Sequence, residues 1–266
     1  KVRNLNKVFC PPYDIISPVE QEDYYQTHPY NFIRLILAKE NPADNSTDNK
    51  YTRAQKTFLD WQQQEILVKD TQDGFYFYLQ EYVWAGEKRR RMGFIGLMRL
   101  EEEKGRNIFL HENTHLAPKE DRLELLRKVR ANLSPIFALF SDREKNISLA
   151  FAQILKEKQP FIDIVDKDNA SHKLWRVGEQ KLVNKIIQDM GDKSVFIADG
   201  HHRYEVALEF RRAEIAEKGS TDGKEDFNYL MTYFTNLDSQ DLLILPTHRI
   251  IKRLPRQLDF LEDAFS

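Results

Sequence analysis

The sequence predicts an α+β fold with mixed sheets and flanking helices. Three observations carry that expectation. Short apolar runs rich in β-formers, such as Val195–Ala198 and Ile136–Phe140, recur along the chain. Between them lie amphipathic stretches at helical spacing, Tyr51, Ala54, Phe58 and Trp61 being one. Turn-forming clusters such as Asp166-Lys167-Asp168-Asn169 separate the two kinds of segment.

Pro11-Pro12-Tyr13-Asp14-Ile15-Ile16 is expected to be extended, because each proline disfavours helix in the residue before it. Ser17-Pro18-Val19-Glu20 has the form of a capping box with proline at the first helical position, so a helix is expected from Pro18 to Thr27. Asn31–Leu37 reads as a strand with Arg34 among apolar neighbours, and a buried Arg34 would need a partner. Lys39–Asn49 reads as a loop and the Tyr51–Trp61 stripe as a core-facing helix.

Phe75–Trp84 and Met92–Leu100 predict a hairpin around residues 85–91, whose Lys88-Arg89-Arg90-Arg91 run reads first as a solvated edge and secondarily as a phosphate-attracting patch. Asn107–Leu110 is expected to be a strand. A helix then starts at Pro118, with Leu126, Val129 and Leu133 on its buried face, and Ser134-Pro135 ends it. Further on come a strand over 136–140, a helix over 145–158, a hairpin from 161–165 and 172–177, and a helix over 178–190. Residues 227–237 fit helix or strand, and Asp241–Leu245 reads as a strand.

The richest chemistry lies in Asp199-Gly200-His201-His202-Arg203, between the 195–198 strand and a helix whose face carries Val206, Phe210 and Ala213 and which stops at Gly219. Free N–H groups and the macrodipole at such a helix start favour an anion, and Gly200 permits close backbone approach. Phosphate is the natural guest, with Arg203 as clamp and His201 and His202 as donors. The plainer reading makes Asp199 a helix cap and the histidines polar loop residues.

His111-Glu112-Asn113-Thr114-His115 matches the zinc-peptidase pattern H-E-x-x-H literally. Its context argues against it: a strand precedes the motif, Asn and Thr are poor helix-interior residues, and Pro118 follows closely. The alternative is a loop that delivers His111, Glu112 and Thr114 to a cleft. A third strand end carries Thr247-His248-Arg249. If the three strands share a sheet, these ends converge on one cleft.

The formal net charge of −2 argues against a large nucleic-acid surface, and the single cysteine, Cys10, excludes a disulfide framework or a Cys-rich zinc site. No apolar run reaches the length of a membrane span, so a cytoplasmic location is the default expectation. The chain reads as an N-terminal α+β part, residues 1–144 with the hairpin and the His-Glu loop, and a C-terminal part, residues 145–266 with the Asp-Gly-His-His-Arg turn. The two parts can equally form one compact unit. Both ends look cut from a longer protein.

Pro11–Ser17, Asn31–Leu35, His111–Thr114, Lys119–Arg122, Ala198–Tyr204 and Leu245–Arg249 together resemble the prokaryotic family called domain of unknown function 1015. The resemblance covers nearly the whole chain, and members are generally longer at the C-terminus. Asp199–Arg203 is also similar to the phosphate-binding strand-turn-helix of the ParB, sulfiredoxin and free serine kinase superfamily. Where sulfiredoxins carry a catalytic cysteine before His-Arg this chain has His201, which sets sulfiredoxin chemistry aside. The kinase resemblance implies Gly200, His202 and Arg203 as phosphate contacts and Asp199 as a base or magnesium-linked carboxylate.

The resulting expectation is phosphoryl transfer from ATP, ADP or pyrophosphate to a small hydroxyl-bearing metabolite, free serine being one candidate. Asp199, Glu112 and His201 are the catalytic candidates. Gly200, His202, Arg203, His111, Thr114, Thr247, His248, Arg249 and Arg34 are the phosphate- or nucleotide-binding candidates. Magnesium is expected from phosphate chemistry, through Asp199 or Glu112. The alternatives are a non-catalytic nucleotide or phosphometabolite sensor and, through His111 and His115, a zinc hydrolase.

Overall fold

The computed structural model describes residues 4–102, 107–112, 116–219 and 222–245. Among these residues, seven α-helices accompany one mixed eight-stranded sheet, an α+β architecture. In chain order they are α1 Pro18–Thr27, α2 Ile33–Ile36, α3 Lys50–Gln63, β1 Phe75–Trp84, β2 Glu87–Arg99, β3 Ile108–Phe109, α4 Leu116–Val129 and β4 Ile136–Phe140. There follow α5 Asn146–Glu157, β5 Ile162–Val165, β6 Ser171–Val177, α6 Gln180–Met190, β7 Val195–Asp199, α7 His201–Lys218 and β8 Tyr229–Asn236.

The strand order is β3-β7-β4-β8-β2-β1-β6-β5, so strands from both sides of residue 144 interleave in one sheet. β3 runs parallel to β7 and β4 antiparallel to it. The C-terminal ends of β3 and β7 therefore emerge beside the N-terminal end of β4. One sheet face carries Phe77, Leu79, Phe94, Ile136, Ala138, Ile197 and Phe234 and packs on Ile147, Phe151 and Ile154 of α5, Ile186 of α6 and Tyr204 and Leu208 of α7. A second cluster joins Ala54 of α3 to Leu125 and Val129 of α4, and a third ties Leu123 of α4 to Val206 and Phe210 of α7.

Local chemistry explains most boundaries. The Ser17 hydroxyl accepts the Glu20 N–H while the Glu20 carboxylate accepts the Ser17 N–H, which starts α1 as expected. Asn49 caps α3 in the same reciprocal manner with Thr52. The β1–β2 turn is only Ala85-Gly86, with φ of 51° and 83°. Both residues in the left-handed region fit a two-residue hairpin turn. Consequently Lys88–Arg91 lie inside β2 and not in the loop.

Several expectations are corrected. Tyr13–Ile15 form a 3-10 turn and are not extended, since the prolines restrict only the residues before them and the Ile15 N–H closes on Pro12 O at 3.3 Å. Asn31–Leu37 is not a strand: residues 33–36 form a helical turn whose Ile33, Leu35 and Ile36 are all buried. So short a run of buried residues carries no period to separate helix from strand. The buried Asn31 decides locally, accepting the Ile33 N–H at 3.0 Å while its amide donates to Lys7 O at 2.8 Å. α4 ends at Val129, not at Ser134-Pro135, because Arg130 turns left-handed with φ 54°. On α7, Ala213 is exposed and Glu214 buried, the reverse of the expected stripe, because Glu214 is paired with Arg130.

Residues 242–245 are not a strand either. β8 already has β4 and β2 on its two sides, and among the described residues the sheet edges are β3 and β5. The segment after β8 has no adjacent edge to join.

Candidate functional site

β7 delivers Asp199 to the sheet end, and Gly200 makes the turn into α7. Gly200 has φ +94° and is the N-cap, with no side-chain cap. A Cβ there would stand 2.7 Å from Ile136 Cγ2, so both conformation and space require glycine. Asp199 does not cap the helix. Its carboxylate accepts from Arg203 Nη2 at 2.5 Å, while Arg203 Nη1 donates to Pro135 O at 2.5 Å and faces Ser134 Oγ at 3.3 Å. The guanidinium thereby pins the start of β4 to the end of β7.

His201 is 2 % exposed and points toward the end of β3. Its Nε2 accepts the His111 backbone N–H at 3.4 Å, and its Nδ1 stands 3.2 Å from Glu112 Oε2. The Nδ1 contact lacks hydrogen-bond alignment, so it is an electrostatic contact between the ring and the carboxylate. An accepting Nε2 leaves the proton of the neutral ring on Nδ1, facing Glu112. Burial lowers the His201 pKa and His111 adds to this, while Glu112 pulls the other way. The His111 ring meets His201 edge-on at 4.6 Å.

Glu112 itself is 60 % exposed, so a carboxylate open to solvent is backed by a buried imidazole. His111 and Glu112 are not helical and precede α4. That departs from the helical setting of a zinc-peptidase motif. Among the described residues no group of three or more His, Cys, Asp or Glu could hold a metal ion.

The structure thus brings together Glu112, His111, Asp199, Gly200, His201 and Arg203, with the partly exposed His202 in the first turn of α7. Arg34 belongs elsewhere: it is only partly buried, lies over the Tyr25 ring at 4.3 Å and donates to Tyr25 O at 2.7 Å, so its partners are neutral groups and not a counter-charge. Thr114, His115, Thr247, His248 and Arg249 lie outside the described residues.

Sequence reasoning missed the wall on the far side of Arg203. A small cavity is lined there by Tyr13, Arg122, Ser134, Arg203 and apolar residues including Leu126 and Val206. The Tyr13 ring lies 4.0 Å under the Arg122 guanidinium. Burial raises the phenol's pKa, and Arg122 and Arg203 oppose the rise. Asp121 fixes this wall, accepting from Arg122 Nε at 2.8 Å and Tyr51 Oη at 2.9 Å and pairing with Lys50 at 2.6 Å. Tyr13 and Arg122 sit in the Pro11–Ser17 and Lys119–Arg122 segments, whose only signal was their family resemblance.

Fold and site together define an α+β protein with a polar strand-turn-helix at the end of a mixed sheet. The chain belongs to the DUF1015 family, described as a protein of unknown function, whose model matches residues 1–265. No curated protein and no solved structure matches the chain.

Proposed function

We propose that the turn binds a phosphate-bearing donor and transfers a phosphoryl group to a small hydroxyl-bearing metabolite. The observation that carries this reading is the Glu112–His201 contact of 3.2 Å at the first turn of an 18-residue helix. Phosphoryl transfer needs anion positioning and a base beside it more than covalent help from the protein. The uncapped N–H groups of α7 supply the first. Glu112, exposed and adjacent, supplies the second by accepting the hydroxyl proton.

His201 acts through Glu112, its buried ring standing against the carboxylate in an electrostatic contact. Arg203, already engaged by Asp199 and Pro135, shapes the turn and adds positive potential. The donor is ATP, ADP or pyrophosphate. Magnesium would neutralise charge on the transferred group, with Asp199 and Glu112 as the nearby oxygen donors.

The test is phosphoryl transfer by the purified protein with magnesium, each of the three donors, and hydroxy amino acids and other small alcohols as acceptors. Turnover with one donor–acceptor pair, lost in Glu112→Gln, supports the proposal. No transfer with any pair sinks it. Donor binding without transfer would favour the sensor reading, which the engagement of Arg203 by protein acceptors also favours.

A further inference from the structure

Strand alternation gives the sheet a second face, opposite the core. Phe77, Leu79, Phe94 and Phe234 point toward the α5–α7 side, so their neighbours Tyr78, Gln80, Gly93, Tyr233 and Thr235 lie on the other face, with Arg91 and Phe137. Among the described residues, six buried side-chain N or O atoms have no hydrogen-bond partner. Three of them, Arg89 Nε, Arg91 Nε and Tyr233 Oη, are on this face.

The neighbouring cations are neutralised and Arg91 is not. Arg89 and Arg90 pair with Glu87 and Glu81, whereas Arg91 has no ion pair among the described residues and donates only to Gln80 Oε1, at 2.5 Å. Its guanidinium lies 5.3 Å from the Phe137 ring centre, and Phe137 stacks on Tyr233 at 5.2 Å. Tyr233 is 7 % exposed. Arg91 and Thr235 come within reach of its hydroxyl, but neither contact is aligned as a hydrogen bond. Gly93 makes the room, since a Cβ there would come within 2.3 Å of the Tyr233 ring.

The fourth side is also fixed. Tyr78 meets Tyr233 edge-on at 5.4 Å and donates to His172 Nδ1 at 2.5 Å. His172 Nε2 in turn faces Asp166 Oδ2 at 2.8 Å. Asp166 is anchored by the N–H groups of Asp168 and Ala170. This chain sets the tautomer of His172 and the direction of the Tyr78 hydroxyl.

A half-buried guanidinium without a counter-charge and a buried phenol without a partner are each costly. A water molecule would satisfy the phenol alone. An oxyanion answers both, taking charge-assisted hydrogen bonds from Arg91 and a third from Tyr233. We propose that Arg91 and Tyr233, walled by Phe137 and Tyr78, form an oxyanion site for a phosphate group on the sheet face opposite the core. Phe137 is the cross-strand partner of Asp199, so this site neighbours the turn. It does not depend on phosphoryl transfer there.

Isothermal titration with inorganic phosphate tests the site in the wild type, Arg91→Gln, Tyr233→Phe and Arg90→Gln, the last removing an exposed neighbouring cation of the same strand. The expected result is affinity reduced about ten-fold or more in Arg91→Gln, several-fold in Tyr233→Phe, and unchanged in Arg90→Gln. A parallel titration with AMP shows whether the phosphate is taken free or on a nucleotide, and Arg91 dependence is required of whichever binds.

No binding in the wild type, binding kept in Arg91→Gln, or an equal loss in Arg90→Gln overturns the site. The phosphate-free stability of Tyr233→Phe is a second check. Removing an orphan hydroxyl leaves stability equal or higher, whereas a loss would mean that the hydroxyl already has a fixed partner, and the proposal would fail.

Discussion

Glu112 Oε2 stands 3.2 Å from His201 Nδ1, and this contact joins the end of β3 to the first turn of α7. The residues are 89 positions apart in sequence, and the parallel pairing of Ile108 with Val195 and Phe109 with Phe196 brings them together. An exposed carboxylate thereby gains a buried, oriented imidazole. Glu112→Gln is expected to keep the fold and to lower turnover by roughly 10²- to 10⁴-fold, the usual contribution of a positioned base. Steady-state kinetics with the productive donor and acceptor would reveal it, and an unchanged kcat would remove Glu112 from the reaction.

The buried His201 predicts a pH dependence of stability. Its folded-state pKa lies below the ordinary 6.5, with burial the largest cause. Between that lowered value and 6.5 the unfolded chain binds more protons than the folded one, so stability is full above 6.5 and falls as the pH drops through the window. Urea unfolding of the wild type and His201→Gln from pH 5 to 8 would test this. The variant should have a flatter profile across the window whatever its absolute stability, and identical slopes would refute the assignment.

Gly200 and Gly219 separate conformational strain from steric clash. Both have positive φ, +94° and +74°, but a Cβ at Gly219 meets nothing within 4 Å while one at Gly200 meets Ile136. Gly219→Ala should cost about 1–2 kcal/mol from the left-handed backbone alone. Gly200→Ala should cost about 2–4 kcal/mol, the overpacking added. Equal losses in chemical denaturation would show that Ile136 yields freely.

Arg130 and Glu214 make a bidentate pair at 2.8 and 2.6 Å in which Glu214 is 6 % exposed and Arg130 side-chain exposure is 56 %. Arg130→Ala would strand the buried carboxylate. Because the guanidinium is half in solvent, the expected loss is about 2 kcal/mol, below that of a fully buried pair. Glu214→Gln in the Arg130→Ala background should recover part of it. No recovery in urea melts would argue that packing of Arg130 over Phe210, not charge, is what was lost.

Arg203→Lys tests the latch at the turn. Lysine retains the charge but cannot hold Asp199, Pro135 and the Ser134 hydroxyl together in one plane. A several-fold weakening of phosphate binding at the turn is expected from the loosened geometry. If Arg203→Lys binds as the wild type does, charge alone suffices and the latch has no role in the site.

The elements legible in the sequence are those whose cause is local. The α1 capping box is four consecutive residues, and the β7-turn-α7 unit announces itself through Val195–Ala198, Gly200 and Gly219. Where the cause is a distant partner, the sequence misleads. Ile33, Leu35 and Ile36 are all buried, so their apolar run shows no period, and Ala213 loses its place to Glu214 because Arg130 arrives from just beyond α4. The Tyr13–Arg122–Asp121 wall and the Tyr78–His172–Asp166 chain draw members from four separated segments, so no spacing rule could find them.

By itself the sequence determined the α+β class, most of the elements, and the turn from Asp199 to Arg203 between a strand and a helix. Those properties rest on hydrophobic period, capping and glycine freedom, which act within a few residues. Only the tertiary structure decided which side chains stand beside that turn, because strand order is set by packing across the whole sheet. It put Glu112 against His201, committed Arg203 to Asp199 and Pro135, and, among the described residues, left Arg91 without a counter-charge and the Tyr233 hydroxyl without a hydrogen-bond partner on the opposite face.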